Sequence, residues 1–177
     1  MAIVWFSLWF FGGLVLIAVG TVCSVGAILP REHVASGSAV VGASAEAAWK
    51  RIRAAGSAPA WRRGVTKVDV LEGDADAPTK WTEHSGFGPM TMILVREEPE
   101  RLMETKIDDT GQPFGGTWTF EVAPDGAGAK VTITERGWVG PPPFRFLSKF
   151  VFGHETTLRQ YLADLRACDA VGSGSPR

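Results

Sequence analysis

The chain has 177 residues and a net charge of −1, from 18 basic and 19 acidic side chains. This length suits one domain with a substantial core, and the near-neutral charge gives no sign of a nucleic-acid partner, since nucleic-acid-binding proteins carry strong basic patches. The two cysteines, Cys23 and Cys168, indicate neither a disulfide framework nor a zinc site.

The amino-terminal segment is the most apolar part of the chain, and no charged side chain precedes Arg31. Because about 20 apolar residues suffice for a helix to cross a bilayer, residues 1–30 are predicted to form a transmembrane helix. A cleaved signal peptide is the alternative, since Val25-Gly26-Ala27 resembles a small-residue cleavage site. Arg31 follows the span directly, so the positive-inside rule predicts a single-pass membrane protein with its following domain in the cytoplasm.

Residues 31–168 are predicted to form one domain, followed by a disordered tail at residues 169–177 that has little to bury. The domain opens with a strand at 33–41. Ser44 then suits a helix N-cap, and an amphipathic helix follows it, with apolar residues spaced three or four apart.

Six short apolar segments separated by turn residues follow this helix. We predict strands at 65–71, 80–84, 90–96, 102–107, 117–122 and 130–139. Since no helical pattern lies between them, an antiparallel meander is expected. Asp125-Gly126 is a typical hairpin turn between the last two strands.

The carboxy-terminal part returns to a helical pattern, and Pro141–Cys168 is predicted to form one long helix. Gly153 lies inside it, at a cost of about 1 kcal/mol relative to Ala. A sheet must bury one face, and this helix has the largest apolar stripe available to cover it. The resulting fold class is α+β, with a curved antiparallel sheet of about seven strands wrapped on a long carboxy-terminal helix.

Taken together, these segments resemble the START-like superfamily, also called SRPBCC or helix-grip proteins, and within it the polyketide cyclase/dehydrase-type group. The segments that carry the resemblance are Ala43–Ile52, Ala58–Leu71, Trp81–Gly88, Phe114–Val122, Val131–Val139 and Phe144–Leu165. The resemblance implies the helix-grip fold, with a deep apolar cavity between the sheet and the carboxy-terminal helix. Family members bind or carry hydrophobic molecules, and some are enzymes.

The expected function is therefore a membrane-anchored domain that binds a lipid, a quinone or a polyketide-like molecule in this cavity. One alternative is a cyclase/dehydratase-type enzyme, and another is a non-catalytic interaction module with a filled core at the membrane. No phosphate-binding, dinucleotide-binding or metal-binding motif is present in the sequence, so no cofactor and no metal are expected.

Two carboxylates occupy positions where strand alternation expects apolar side chains. Glu135 shares a face with Ile133, and Glu83 shares a face with Trp81. A carboxylate inside a cavity can perform acid/base chemistry. The alternatives are strand ends that reach solvent, or a structural ion pair with Arg62, Arg136 or Arg145.

His154 is the third catalytic candidate, because it lies on the helix stripe that faces the sheet and can pair there with Glu135. The alternative for His154 is a core histidine. Ligand-binding side chains are predicted to be Trp81, Met90, Met92, Trp118, Phe120, Glu135, His154 and Tyr161. Trp138 is out of phase with Glu135, so a β-bulge near Gly137 is needed if both side chains point inward.

Overall fold

The computed structural model describes residues 2–86, 88–108, 111–153 and 155–172. The helices are α1 (Ala2–Ile28), α2 (Ala45–Arg53), a 3₁₀ helix (Ala55–Ala60), α3 (Pro142–Leu147), a π-helical turn (Ser148–Phe152) and α4 (Thr156–Gly172). The strands are β1 (Glu32–Val41), β2 (Val65–Asp74), β3 (Ala77–Ser85), β4 (Gly88–Glu98), β5 (Leu102–Ile107), β6 (Phe114–Asp125) and β7 (Gly128–Val139).

The seven strands form one antiparallel sheet in the order β1-β7-β6-β5-β4-β3-β2. The predicted α+β class and the meander from β2 to β7 are therefore confirmed. β1 pairs with β7, and this pairing brings the first strand of the sheet against the last. Asp125 pairs with Gly128 across the last hairpin, and Gly126 adopts φ +60, the backbone conformation that such a turn requires.

The core lies between the inner face of the sheet and helices α2 and α4. The Ser44 hydroxyl accepts a hydrogen bond from the Ala47 amide at 3.2 Å, so α2 begins at the predicted N-cap. The buried core side chains from the helices and the two long strands include Trp49, Ile52, Phe120, Val122, Val131, Ile133, Leu158, Leu162 and Leu165. Burying a large apolar side chain contributes about 1.5–3 kcal/mol, and this cluster therefore holds the helices on the sheet.

The predicted single helix over Pro141–Cys168 is wrong. The chain leaves the helical conformation at Gly153, which adopts φ 72 and ψ 130, and this break separates α3 and the π-helical turn from α4. A residue with a Cβ atom rarely adopts this φ, whereas glycine does so without strain. α4 ends at Gly172, inside the segment predicted to be disordered, and residues 173–177 lie outside the described residues.

The predicted amino-terminal helix is present as α1, but its predicted role is not supported. Across the described residues, no helix combines the length and the apolarity needed to cross a membrane. This finding contradicts the predicted transmembrane segment and the predicted single-pass localisation.

The carboxy-terminal end of α1 packs against α3. A Cβ at Gly26 would lie 1.9 Å from the Pro142 carbonyl oxygen, so only glycine permits this approach. Arg145 Nη1 donates hydrogen bonds to the carbonyl oxygens of Leu29, at 2.8 Å, and Ala27, at 3.4 Å. A guanidinium at this position satisfies carbonyls that a helix end leaves unpaired.

Candidate functional site

A cavity of about 580 Å³ lies between the inner face of the sheet and the helices. Its wall contains residues from α2 and the 3₁₀ helix, from β1 and β3 to β7, and from α3 and α4. Many of the side chains that line the wall are aromatic or Met, and they include Trp81, Met90, Met92, Met103, Trp118 and Phe120. Strand pairing places several of them side by side, since Trp81 is opposite Met92 and Met103 is opposite Phe120.

The cavity wall carries an ion pair between Arg62 and Glu83. Arg62 Nη1 donates to both carboxylate oxygens of Glu83, at 2.8 and 2.9 Å. Trp81 Nε1 donates to Glu83 Oε1 at 3.2 Å, because residues 81 and 83 of β3 project from the same face. The two charged side chains are only 17% and 19% exposed, so the pair is largely shielded from solvent.

Tyr161 of α4 packs against this ion pair. The Arg62 guanidinium lies 4.7 Å from the centroid of the Tyr161 ring, a cation–π contact, and Trp61 meets the same ring edge-on at 5.2 Å. Burial raises the pKa of the Tyr161 hydroxyl well above its usual value, although the charge of Arg62 acts in the opposite direction. The hydroxyl is therefore neutral at physiological pH.

The pKa of Arg62 responds to two opposing effects. Burial lowers the pKa of the guanidinium, but the negative charge of Glu83 raises it, and the net shift is upward. Arg62 therefore remains a cation inside the cavity. Beside it, the buried Trp61 Nε1–H group has no hydrogen-bond partner in the described part of the chain.

A second polar pair, Glu135 and His33, lines another part of the cavity wall. Glu135 Oε1 lies 3.3 Å from His33 Nε2, and the side chains are 18% and 16% exposed. His33 is opposite Gly137 in the β1–β7 register, so its ring reaches Glu135 diagonally. A Cβ at Gly137 would lie 2.5 Å from His33 Cε1, and the glycine therefore provides the space for the imidazole.

Trp138 and Phe144 line the cavity and are themselves 42% and 48% exposed. The β6–β7 and β1–β7 registers run without a shift through Gly137, so the β-bulge considered for Trp138 is not formed. The Trp138 indole packs instead over Gly115, where a Cβ would lie 2.8 Å from Nε1.

Residues 32–167 match the family model described as "Polyketide cyclase / dehydrase and lipid transport". The chain belongs to this family. Comparison with curated protein sequences found no match.

Solved structures show the same fold as this polyketide cyclase/dehydrase family member. A START superfamily protein from Mycobacterium smegmatis has a TM-score of 0.65 at 16% identity, over 78% of this chain and 98% of its own. The di-domain ARO/CYC StfQ from the steffimycin biosynthetic pathway has a TM-score of 0.63 at 12% identity, over 82% of this chain and 53% of its own. A norcoclaurine synthase point mutant from Thalictrum, in complex with a transition-state analogue, has a TM-score of 0.63 at 12% identity, over 81% of this chain and 97% of its own.

The structure places most of the predicted site residues of this family member on the cavity wall. Those that line it are Trp81, Glu83, Met90, Met92, Trp118, Phe120, Glu135 and Tyr161. His154, the predicted partner of Glu135, lies outside the described residues. Contact with a ligand stays a prediction for all of them.

The sequence did not identify His33 and Arg62 as residues of the cavity wall. Along β1, His33 lies on the same face as the buried Ala35 and Ala39, because side chains on a strand alternate between its two faces. This position indicates that the His33 side chain points inward. Arg62 is predicted only as one of three possible ion-pair partners for the two carboxylates, whereas it lines the cavity itself. Among the described residues, no group of three or more His, Cys, Asp or Glu side chains could hold a metal ion.

Proposed function

We propose that this polyketide cyclase/dehydrase family member binds an apolar small molecule, of lipid, quinone or polyketide-like kind, in the cavity between the sheet and the helices. The cavity volume of about 580 Å³ is the observation that carries the proposal. Protein interiors normally pack as densely as organic crystals, and small-molecule sites have volumes of roughly 300–1,000 Å³. A cavity of this size, lined by aromatic and Met side chains, fits a ligand site better than a packing defect.

Arg62 favours a ligand that also carries a hydrogen-bond acceptor. Both hydrogen bonds from Arg62 to Glu83 start from Nη1. The Nε–H and Nη2–H groups of the guanidinium are not engaged by this carboxylate, and a guanidinium has five N–H donors in all. A carbonyl or carboxylate oxygen on the ligand is the natural partner for these groups.

Mass spectrometry of organic extracts from the full chain, purified from its native host, tests the proposal directly. We expect a stoichiometric apolar molecule in the extract, and we expect an apolar fluorescent probe to bind after the extract is removed. Absence of both a co-purifying molecule and probe binding would exclude this function.

A pair of β4 variants tests whether binding occurs in the cavity. Met92 lines the cavity, whereas Val95 on the same strand is exposed. Met92→Trp adds volume inside the cavity and should weaken probe binding about tenfold or more, while Val95→Trp should leave it unchanged. Equal effects of the two substitutions would place the probe elsewhere.

A cyclase/dehydratase-type enzyme is the second candidate function, and the Glu135–His33 pair is the observation that favours it. A carboxylate within 3.3 Å of an imidazole in a cavity is an arrangement suited to proton transfer. The recovered ligand distinguishes the two functions. A carrier returns the supplied molecule unchanged, whereas a cyclase/dehydratase returns either a cyclised isomer with a different chromatographic retention time or a product that has lost water.

A non-catalytic interaction module is the least supported of the predicted functions. That function was expected to accompany a filled core, and a cavity of about 580 Å³ argues against it.

A further inference from the structure

The two carboxylates on the cavity wall, Glu83 and Glu135, differ in the number of hydrogen bonds that they already accept. Glu83 accepts two hydrogen bonds from Arg62 and one from Trp81. Glu135 interacts with His33 through Oε1, and no described residue hydrogen-bonds its Oε2. A carboxylate can accept about four hydrogen bonds, so Glu135 retains acceptor capacity that Glu83 has largely used.

Glu135 is held in place by the strands on both sides of it. On β7 it is opposite Ala35 of β1 and opposite Trp118 of β6. The small Ala35 side chain leaves space beside the carboxylate, and the Trp118 indole gives an aromatic surface next to it. A polar group on a central strand, with one oxygen already oriented by a neighbour, is preorganised for binding.

We propose that Glu135 Oε2 accepts a hydrogen bond from a hydroxyl group of the cavity ligand, which makes the ligand a phenol, an enol or an alcohol with an apolar body. This inference rests on the proposed binding function. A ligand with only acceptor groups leaves the carboxylate desolvated and unpaired, whereas a hydroxyl compensates it. The site therefore selects against hydrocarbons, ethers and esters of the same shape.

The test compares two probes that differ in one donor, para-pentylphenol and its methyl ether, by isothermal titration calorimetry on the full chain. Because a hydrogen bond to a charged group is strong, we expect the phenol to bind wild type at least about tenfold more tightly than the ether. Glu135→Gln should reduce that preference about tenfold while changing the affinity for the ether less than about twofold.

Glu121→Gln is the matched control, since Glu121 is an exposed carboxylate on the adjacent strand β6, and it should keep the wild-type preference. If both probes bind but Glu135→Gln keeps the full preference for the phenol, the hydroxyl is recognised elsewhere and the proposal is wrong. If neither probe binds wild type, the cavity function itself fails. Circular dichroism of each variant excludes misfolding as the cause of a lost preference, and Glu135→Asp, which retains the charge, should keep part of it.

Discussion

Removing the charge of Glu83 tests whether the Arg62 ion pair stabilises the fold. Glu83→Gln keeps the shape of the side chain and one acceptor oxygen for Trp81 or Arg62. It removes the negative charge and places an amide N–H₂ group against Arg62 Nη1, which now donates to both carboxylate oxygens. The guanidinium would then lie in the cavity wall without its contacting counter-charge.

The expected loss follows from the exposure of the pair. Removing one partner of a fully buried pair costs about 3–5 kcal/mol, whereas exposed pairs contribute about 0–1 kcal/mol. Exposures of 17% and 19% place this pair near the buried limit. The Tyr161 ring stabilises the remaining cation by about 0.5–1 kcal/mol. We therefore expect Glu83→Gln to lower the free energy of unfolding by about 2–3 kcal/mol.

Urea denaturation measures this loss. With an m-value of roughly 1–3 kcal/mol/M, the unfolding midpoint should fall by about 0.7–3 M at an unchanged m-value. The double variant Arg62→Met/Glu83→Gln should lose less than the sum of the single variants, by at least about 1 kcal/mol, because it removes the unpaired cation. Glu46→Gln, which disrupts the exposed pair with Lys50, should have a much smaller effect. Additive losses, or a Glu83→Gln midpoint equal to wild type, would refute the proposed stabilisation.

Three further predictions concern backbone packing, pH dependence and the α1 contact. Gly116→Ala should lower stability by about 2–4 kcal/mol in urea denaturation, because φ is +154 and the new Cβ would lie 2.4 Å from the Arg136 carbonyl oxygen; an unchanged midpoint would contradict the clash. Burial raises the folded-state pKa of Tyr161 above its unfolded value of about 10, so wild type should lose up to ~1.4 kcal/mol per pH unit above about pH 10. Tyr161→Phe lacks this loss, and a stability difference between the two proteins that stays constant between about pH 9 and pH 11 would contradict the shift. Arg145→Met removes the donor to the Leu29 carbonyl and should accelerate amide exchange at the end of α1 in mass spectrometry, whereas equal exchange rates would show that this bond does not hold the helix end.

The strands were predictable because their determinants are local. Each predicted segment from 65–71 to 130–139 lies within or at the bounds of an observed strand, since alternation and turn residues act over a few positions. The Ser44 cap and the Asp125-Gly126 turn are equally local, and both are observed. The alternation also placed Glu135 on the inner face correctly, although a carboxylate there looked anomalous.

The break between α3 and α4 was not predictable from spacing. The helical stripe continues at steps of three and four from Leu147 through Val151 and His154 to Leu158, across Gly153. The low helix propensity of glycine is a small cost that packing often overrides, so it did not decide between one helix and two. Its φ of 72 depends on how the flanking segments pack.

The hydrogen-bond partners of Glu83 and Glu135 could not be predicted without knowing the strand register. His33 and Glu135 are 102 positions apart, and only the β1–β7 pairing brings them together. Three arginines were possible partners for Glu83, and the sequence could not choose among them. The structure places Arg145 at the end of α1 and Arg136 at an exposed position of β7. Arg62 is the arginine that pairs with Glu83.

The contrast between Glu83 and Glu135 has a consequence for the polar groups of the ligand. Arg62 offers N–H donors beside Glu83 of β3, whereas Glu135 on β7 offers an acceptor, and three strands lie between β3 and β7 in the sheet. The Tyr161 ring lies 4.7 Å from the Arg62 guanidinium and 6.4 Å from the ring of Trp118, which is opposite Glu135, so both groups border the same cavity. A molecule that engages both therefore needs an acceptor that faces Arg62 and a hydroxyl that faces Glu135, and the proposed site favours a ligand that carries both functions over one that carries a single polar group.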